Sequence, residues 1–270
     1  MVHDFQHATL GRTGLQVFRL GFSASYFPGR RALNHALDAG VNYFFGYGTD
    51  FQLLSFYRSL SPSDRQKIVL ATGAYNYIWT RQDIQKTFEK RLRQFRTDCI
   101  DVFLFLGVMK PKQFPPELVE QMVRLKERGH VRAIGLSCHH RTFAGQLAAS
   151  GDLDVLMIRY NAAHRGAEEQ IFPFVGAHNV GVVSYTATRW TGLLRRPKQW
   201  PRQGRIPTAA EAYRFVLSNP NVDVCLTAPT NPRQLEQNIA DIGQGPLSAD
   251  DMEFMHNFGD AVHETRRWFM

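Results

Sequence analysis

Short apolar runs alternate with longer amphipathic segments along the whole chain, and this alternation constrains the fold more than any other feature. The runs at 41–45, 68–71, 100–106, 133–136, 155–158, 181–185 and 224–226 are continuous rather than alternating apolar and polar. Strands of that kind are buried on both faces, as in a parallel sheet covered by helices. The segments between them carry helix punctuation. Residues 31–39 end at Gly40, and 115–128 open on prolines and stop before Gly129. Residues 80–95 start with Thr80 as a cap and Asp83 three positions on, and 208–218 place Glu211 at the capping-box position after Thr208.

Repeated strand–helix units predict a parallel α/β fold. Seven readable strands, with room for an eighth in 15–22, favour a closed (β/α)8 TIM barrel over an open sheet. No Gly-x-Gly-x-x-Gly follows a strand, so the open dinucleotide-binding fold has no support. With 270 residues, no linker and no internal repeat, residues 1–270 read as a single domain.

Composition narrows the partners. No run reaches the roughly 20 apolar residues that span a bilayer, and the N-terminus lacks a signal-peptide pattern. Cys99, Cys138 and Cys225 are far apart and have no metal-ligand spacing, which suits a reduced, cytoplasmic setting without a bound metal. The net charge of +8 admits anionic ligands. The arginines of 91–96 read as a solvated helix face, because no aromatic platform accompanies them. Nucleic acid is therefore not the expected partner, and a small-molecule substrate or ligand is. Oligomeric state is not legible.

Three motifs end strands in a recognisable way: Gly40-Val41-Asn42-Tyr43-Phe44-Phe45, Lys67-Ile68-Val69-Leu70-Ala71-Thr72-Gly73 and Thr97-Asp98-Cys99-Ile100-Asp101-Val102-Phe103-Leu104-Phe105-Leu106. Together with Leu10-Gly11-Arg12-Thr13-Gly14, Gly129-His130-Val131-Arg132-Ala133-Ile134-Gly135-Leu136-Ser137 and Asn231-Pro232-Arg233-Gln234-Leu235-Glu236-Gln237-Asn238, in that order, they make the chain resemble the aldo-keto reductases over nearly its whole length. The resemblance implies an N-terminal hairpin before the barrel and a site at the C-terminal strand ends, with Phe45, Gly73, Leu106 and Ser137 ringing one pocket.

The family's catalytic set is where the resemblance fails. In the family a Tyr hydroxyl protonates a carbonyl oxygen while hydride arrives from nicotinamide. A Lys paired with an Asp strengthens that Tyr as an acid, and a His orients the carbonyl. Phe45 stands at the Asp position, Gly73 at the Lys and Leu106 at the His. The Tyr is ambiguous: spacing from Phe45 reaches Asp50, whereas the local Tyr-Gly pattern reaches Tyr47. An unassisted Tyr has a pKa near 10 and is a poor acid at neutral pH.

For NADP(H), the resemblance implies contacts from Ser137, Cys138, Met157, Tyr185, Thr186, Gly192 and Leu193 at the nicotinamide and pyrophosphate end. Thr230, Arg233, Gln234 and Asn238 would serve the adenosine-phosphate end. Cys138 and Met157 replace the usual Asn and Gln, and Gln234 replaces a basic residue. Read for their own chemistry, Tyr47, Asp50 and His139 are the candidate acid–base residues, with Arg159 or Arg165 as counter-charge for an anionic group. Arg165 and Glu168 can equally pair across one helical turn. The expected function is an atypical aldo-keto reductase-like enzyme acting on a small carbonyl or specialised metabolite. The alternatives are a cofactor-independent non-redox enzyme using Tyr47, Asp50 and His139, or an inactive ligand- or partner-binding barrel.

Overall fold

The computed structural model describes residues 4–76 and 82–265. Two short strands, β1 (His7–Thr9) and β2 (Gln16–Phe18), pair antiparallel in an N-terminal hairpin. Then β3 (Leu20–Ser23), α1 (Gly29–Asp38), β4 (Tyr43–Phe45), α2 (Phe51–Ser59), α3 (Pro62–Arg65), β5 (Val69–Tyr75) and α4 (Ile84–Phe95) follow. The middle of the chain supplies β6 (Ile100–Val108), α5 (Pro116–Glu127), β7 (Val131–Cys138), α6 (Arg141–Ser150), β8 (Val155–Arg159), α7 (Ala167–Gln170) and α8 (Phe172–Val175). It ends with β9 (Gly181–Tyr185), α9 (Ala209–Ser218), β10 (Val224–Thr227), α10 (Pro232–Ile242) and α11 (Ala249–Thr265). Strands β3 to β10 are all parallel and close into one barrel in the order β10-β3-β4-β5-β6-β7-β8-β9. This is the (β/α)8 architecture the alternation predicts.

Each strand faces two apolar environments, which is why its sequence reads as an unbroken run. Phe45, Ala71, Leu104, Met157 and Val183 point into the barrel, whereas Phe44, Leu70, Phe103, Leu156 and Val182 point out beneath the helices. The expected eighth strand within 15–22 is two elements: 16–18 belongs to the hairpin and only 20–23 to the barrel. The capping box at Thr208 and Glu211 forms as read. The cap of the fourth helix differs. Asp83 itself is the N-cap, accepting from the Lys86 amide at 2.7 Å, and Thr80 lies outside the described residues.

The hairpin closes the N-terminal end of the barrel. Leu10, Leu15 and Val17 join the interior cluster. Arg12 Nε lies 3.0 Å and Lys126 Nζ 2.7 Å from the buried Asp154 carboxylate, which also accepts from the Ile134 amide at 3.0 Å. Asp223 accepts from the Gly11 amide at 3.2 Å and the Val182 amide at 2.9 Å. With that end sealed, the C-terminal strand ends form the open face. Among the described residues no helix is long and apolar enough to cross a membrane.

One surface expectation is corrected. Arg91 does not lie on the solvated face of α4 but is buried. Its Nε donates to the Gly73 carbonyl at 3.3 Å and its Nη1 to Gln94 Oε1 at 2.7 Å, satisfying a guanidinium that the helix turns inward.

Candidate functional site at the barrel mouth

Phe45, Gly73 and Leu106, where the resemblance implies Asp, Lys and His, form an apolar floor. Phe45 and Leu106 are buried in the interior cluster. Gly73 pairs with Leu104, and a Cβ added there would collide with the Leu104 carbonyl oxygen and come within 3.2 Å of Leu106 Cδ1. The close approach of β5 to β6 thus requires a residue without Cβ. These strands also run further than their apolar runs suggest. β5 reaches Tyr75 and β6 reaches Val108, so Gly73 and Leu106 sit below the rim rather than on it. Tyr75, missed in the sequence because Thr72-Gly73 read as the strand end, pairs in register with Leu106 and packs on the interior cluster.

Tyr47 and Asp50 come together in one tight turn after β4. The Tyr47 ring lies edge-on to Phe45 with centroids 4.9 Å apart, and 5.4 Å from Tyr75. Asp50 is buried, and its carboxylate accepts from the amides of Tyr47 and, at 3.1 Å, Gly48. Gly48 adopts a φ of +78° with the Arg91 guanidinium packed where a Cβ would project, so Arg91 supports this turn from below. Burial raises the Asp50 carboxyl, opposed by these amides and the charge of Arg91. Burial also raises the Tyr47 phenol. A hydrogen bond with Ser25 opposes that shift, and the charge of Asp50 reinforces it. The turn therefore presents a hydroxyl but makes it a weaker acid than a free tyrosine.

The opposite arc of the mouth, on β7 to β9, is polar and cationic. Ser137 is buried and hydrogen-bonds Tyr185, whose hydroxyl also lies 3.3 Å from both ring nitrogens of His139. Cys138 points away, its Sγ 3.4 Å from the His140 carbonyl, and burial raises its thiol to about 11. Met157 is buried on β8, in register with Ser137. Arg159, two residues further along the same strand face, pairs in register with Tyr185. Burial and the charge of Arg159 hold the His139 imidazole below its ordinary range. His164 accepts from Arg189 Nε at 3.1 Å, and burial with Arg159 and Arg189 lowers it to about 3. Arg165 is committed elsewhere, 2.8 Å from Asp260, while Glu168 accepts from the Tyr160 hydroxyl at 2.6 Å, so the 165–168 pair does not form.

The loop after β9 is strained. Thr186, Arg189, Trp190 and Thr191 all have φ between +49° and +66°, in the left-handed region that costs a non-glycine residue about 1 kcal/mol or more. Asn161 Nδ2 holds the Thr186 carbonyl at 2.9 Å, and a single 3-10 turn over Gly192–Leu194 buries Leu193. Of the residues expected at an adenosine-phosphate end, Thr230 and Arg233 are exposed near the α10 N-terminus, a position suited to an anion. Gln234 turns back instead, its Oε1 accepting from the Thr230 amide and hydroxyl at 2.9 Å each. Asn238 is buried and donates to Thr227 at 3.1 Å. The residues therefore suit a dinucleotide unevenly. The phosphate end offers an exposed cation and helix amides, whereas Met157 and Cys138 supply no carboxamide partners. Among the described residues no group of three or more His, Cys, Asp or Glu could hold a metal ion.

An eight-stranded parallel barrel with a hairpin-sealed base and its polar groups gathered at the C-terminal mouth is the architecture of aldo-keto reductases. The sequence profile of the Aldo/keto reductase family matches residues 29–203, and the chain belongs to this family. It is 22% identical to an NADH-specific methylglyoxal reductase of Escherichia coli (strain K12), over 94% of this chain and 98% of that protein. It is also 22% identical to the aldo-keto reductase YhdN of Bacillus subtilis (strain 168), over 92% of each. Among solved structures, the holo form of aldo-keto reductase AKR11C1 from Bacillus halodurans superposes with a TM-score of 0.78 at 21% identity, covering 95% of this chain and 97% of that one. The apo form gives 0.74 at 22%, covering 95% and 96%. Members of the family use nicotinamide cofactors.

Proposed function

We propose that this protein is an atypical aldo-keto reductase that binds a nicotinamide dinucleotide at the barrel mouth and reduces a small carbonyl or specialised metabolite slowly, without the usual catalytic set. Bound there, the cofactor would supply hydride. Tyr185 and Ser137 would meet its nicotinamide, and Arg233 with Thr230 its adenosine phosphate, which favours NADP(H). Tyr47 would donate the proton, and the protein would work in the cytoplasm as one barrel domain.

The observation that carries this reading is the surround of Tyr47. Its ring is packed between Phe45 and Tyr75, above the apolar Gly73 and Leu106, and burial outweighs the hydrogen bond with Ser25, so its pKa is raised. General acid catalysis contributes roughly 10²–10⁴-fold, and a tyrosine left without its cation forfeits most of that. Turnover of standard carbonyl substrates should therefore fall at least about 10²-fold below that of a fully equipped relative.

Titrating the protein with NADPH and NADH, following nicotinamide fluorescence at low and high salt, is the first test, with methylglyoxal and an aromatic aldehyde then assayed for turnover. Saturable binding that survives salt, with slow turnover lost in Tyr47→Phe, supports the reading. Binding abolished by salt reports only attraction to a basic surface and defeats it. A normal rate would assign the proton donor elsewhere. A second reading has one observation in its favour: the Tyr185 hydroxyl lies 3.3 Å from the ring nitrogens of His139, although burial makes Tyr185 a weaker acid and His139 a weaker base. Activity without nicotinamide would select it, and binding without turnover would select an inactive ligand-binding barrel.

A further inference from the structure

A second cleft, with a volume of about 810 Å³, opens at the base of the barrel, away from the mouth. It lies where the starts of β5, β6 and β7 meet the last turns of α2 and α4 and the short α3. The mouth is built on strand ends, this cleft on strand starts. Its volume is within the range of small-molecule sites. Pro62, Ile68 and Leu92 supply the apolar part of its lining.

Four arginines line the cleft, Arg65, Arg93, Arg96 and Arg132, against two carboxylates, Asp98 and Asp101. Arg132 is neutralised by Asp101 at 2.8 Å. Arg65 is not neutralised. Its Nη1 donates to the Arg96 carbonyl at 3.1 Å and its Nη2 to the Arg58 carbonyl at 2.9 Å, while its Nε is buried without a partner. Its Cζ lies over the Tyr57 ring, 5.3 Å from the centroid. Arg93 and Arg96 are exposed, and among the described residues their side chains make no hydrogen bond or ion pair. Arg96 stops α4 in the left-handed conformation, φ +54°, its amide donating to the Leu92 carbonyl. Three unneutralised cations therefore share the cleft with one carboxylate, Asp98, that has no cation of its own. The dipole of α4 favours cations at its C-terminus, but that effect fades within the last turn and leaves the convergence of Arg65 from α3 unexplained. Like charges lining a cleft raise the local concentration of counter-ions.

We propose that this cleft binds a small phosphorylated metabolite, its phosphate held by Arg93 and Arg96 and its carbon body set against Pro62, Ile68 and Leu92. Guanidinium groups meet phosphate oxygens through paired, charge-assisted hydrogen bonds, and two unengaged guanidiniums on one lip offer that geometry. The site is independent of the mouth and of any cofactor bound there. Cys99 supplies a local reporter, since it lines the cleft and is half-buried, whereas Cys138 and Cys225 are buried.

Calorimetric titration of the intact protein with cyclohexyl phosphate, inorganic phosphate and cyclohexanol tests the proposal, together with the rate of iodoacetamide alkylation at Cys99 followed by mass spectrometry. Cyclohexyl phosphate should bind saturably and at least about fivefold more tightly than inorganic phosphate, because its ring buries apolar surface. Cyclohexanol should not bind over the same concentration range. Arg93→Gln and Arg96→Gln should each weaken the ester about three- to tenfold, and Arg93→Lys should retain most of the affinity. Neither side chain holds a contact within the fold, so both variants should melt like wild type. Arg233→Gln, beside the mouth, should leave the ester's affinity unchanged, and saturating ester should slow alkylation of Cys99. No binding of the ester, equal affinity for ester and inorganic phosphate, equal losses in the Arg93 and Arg233 variants, or unchanged alkylation of Cys99 at saturation would overturn the inference.

Discussion

Placing a lysine at Gly73, where the resemblance implies one, should damage the protein rather than add to its chemistry. Gly73 lies on β5 directly opposite Leu104 on β6, and an added Cβ would run into the Leu104 carbonyl oxygen. That oxygen belongs to a backbone ladder and cannot rotate away like a side chain. Relief requires the two central strands to move apart or the ladder to break locally. Overpacking of a close-packed interior costs about 1–3 kcal/mol. For a chain of this size each kcal/mol moves the melting temperature by about 2–4 °C, so Gly73→Ala should melt roughly 2–12 °C below wild type. Gly73→Lys carries the same Cβ and adds an ammonium beside Leu106, Phe45 and Tyr75, where burial lowers its pKa and weakens it as a cation. Differential scanning calorimetry of both variants, with NADPH turnover of an aromatic aldehyde, is the assay. Gly73→Ala melting within about 1 °C of wild type would refute the steric argument, and a large gain of activity in Gly73→Lys would refute the chemical one.

Three further outcomes follow from charges the fold buries. Burial raises Asp223 to about 6 from an unfolded value of 3.8, so between those values the folded state binds more protons and stability falls as pH rises. Asp223→Asn should thus gain on wild type by roughly 2–3 kcal/mol in urea unfolding between pH 4 and pH 8, and a gap independent of pH would contradict this. His164 is lowered to about 3, so the unfolded chain takes up its proton first as pH falls below 6.5 and stability is lost on that side. Its imidazole resonances should not titrate above about pH 4.5, and a midpoint near 6.5 would show that the Arg159–Arg189 surround is misplaced. Asp154 anchors the half-exposed Arg12 and Lys126 from a position 1% exposed and accepts from the Ile134 amide, so Asp154→Ala should cost about 1–3 kcal/mol in denaturant unfolding. A loss under about 1 kcal/mol would mean that the base seal is carried by apolar packing alone.

The barrel was legible because its cause is local and repeated. Each strand is apolar on both faces and each helix on one, and those patterns survive in the one-dimensional order of residues. The strand 181–185 and the Thr208–Glu211 cap match their readings for that reason, since cap and period involve neighbours in sequence. The uncharged character of Phe45, Gly73 and Leu106 is likewise a property of residue identity and is read directly from the sequence.

Other features depend on groups far apart in the chain. Arg91 reads as one more surface cation until α4 turns it beneath Gly48 and the end of β5. Tyr75 reads as a loop residue until β6 extends alongside it. Asp50 reads as an acid–base candidate, yet its carboxylate is committed to the amides of its own turn. The sequence by itself determined a parallel barrel and the apolar residues Phe45 and Leu106 near two of its strand ends, because periodicity and residue type are enough for both. Only the tertiary structure decided that the mouth is apolar on the β4–β6 side and cationic on the β7–β9 side. Ring closure brings β8 and β4 to one opening, and electrostatic and packing energies depend on those through-space distances rather than on separation along the chain.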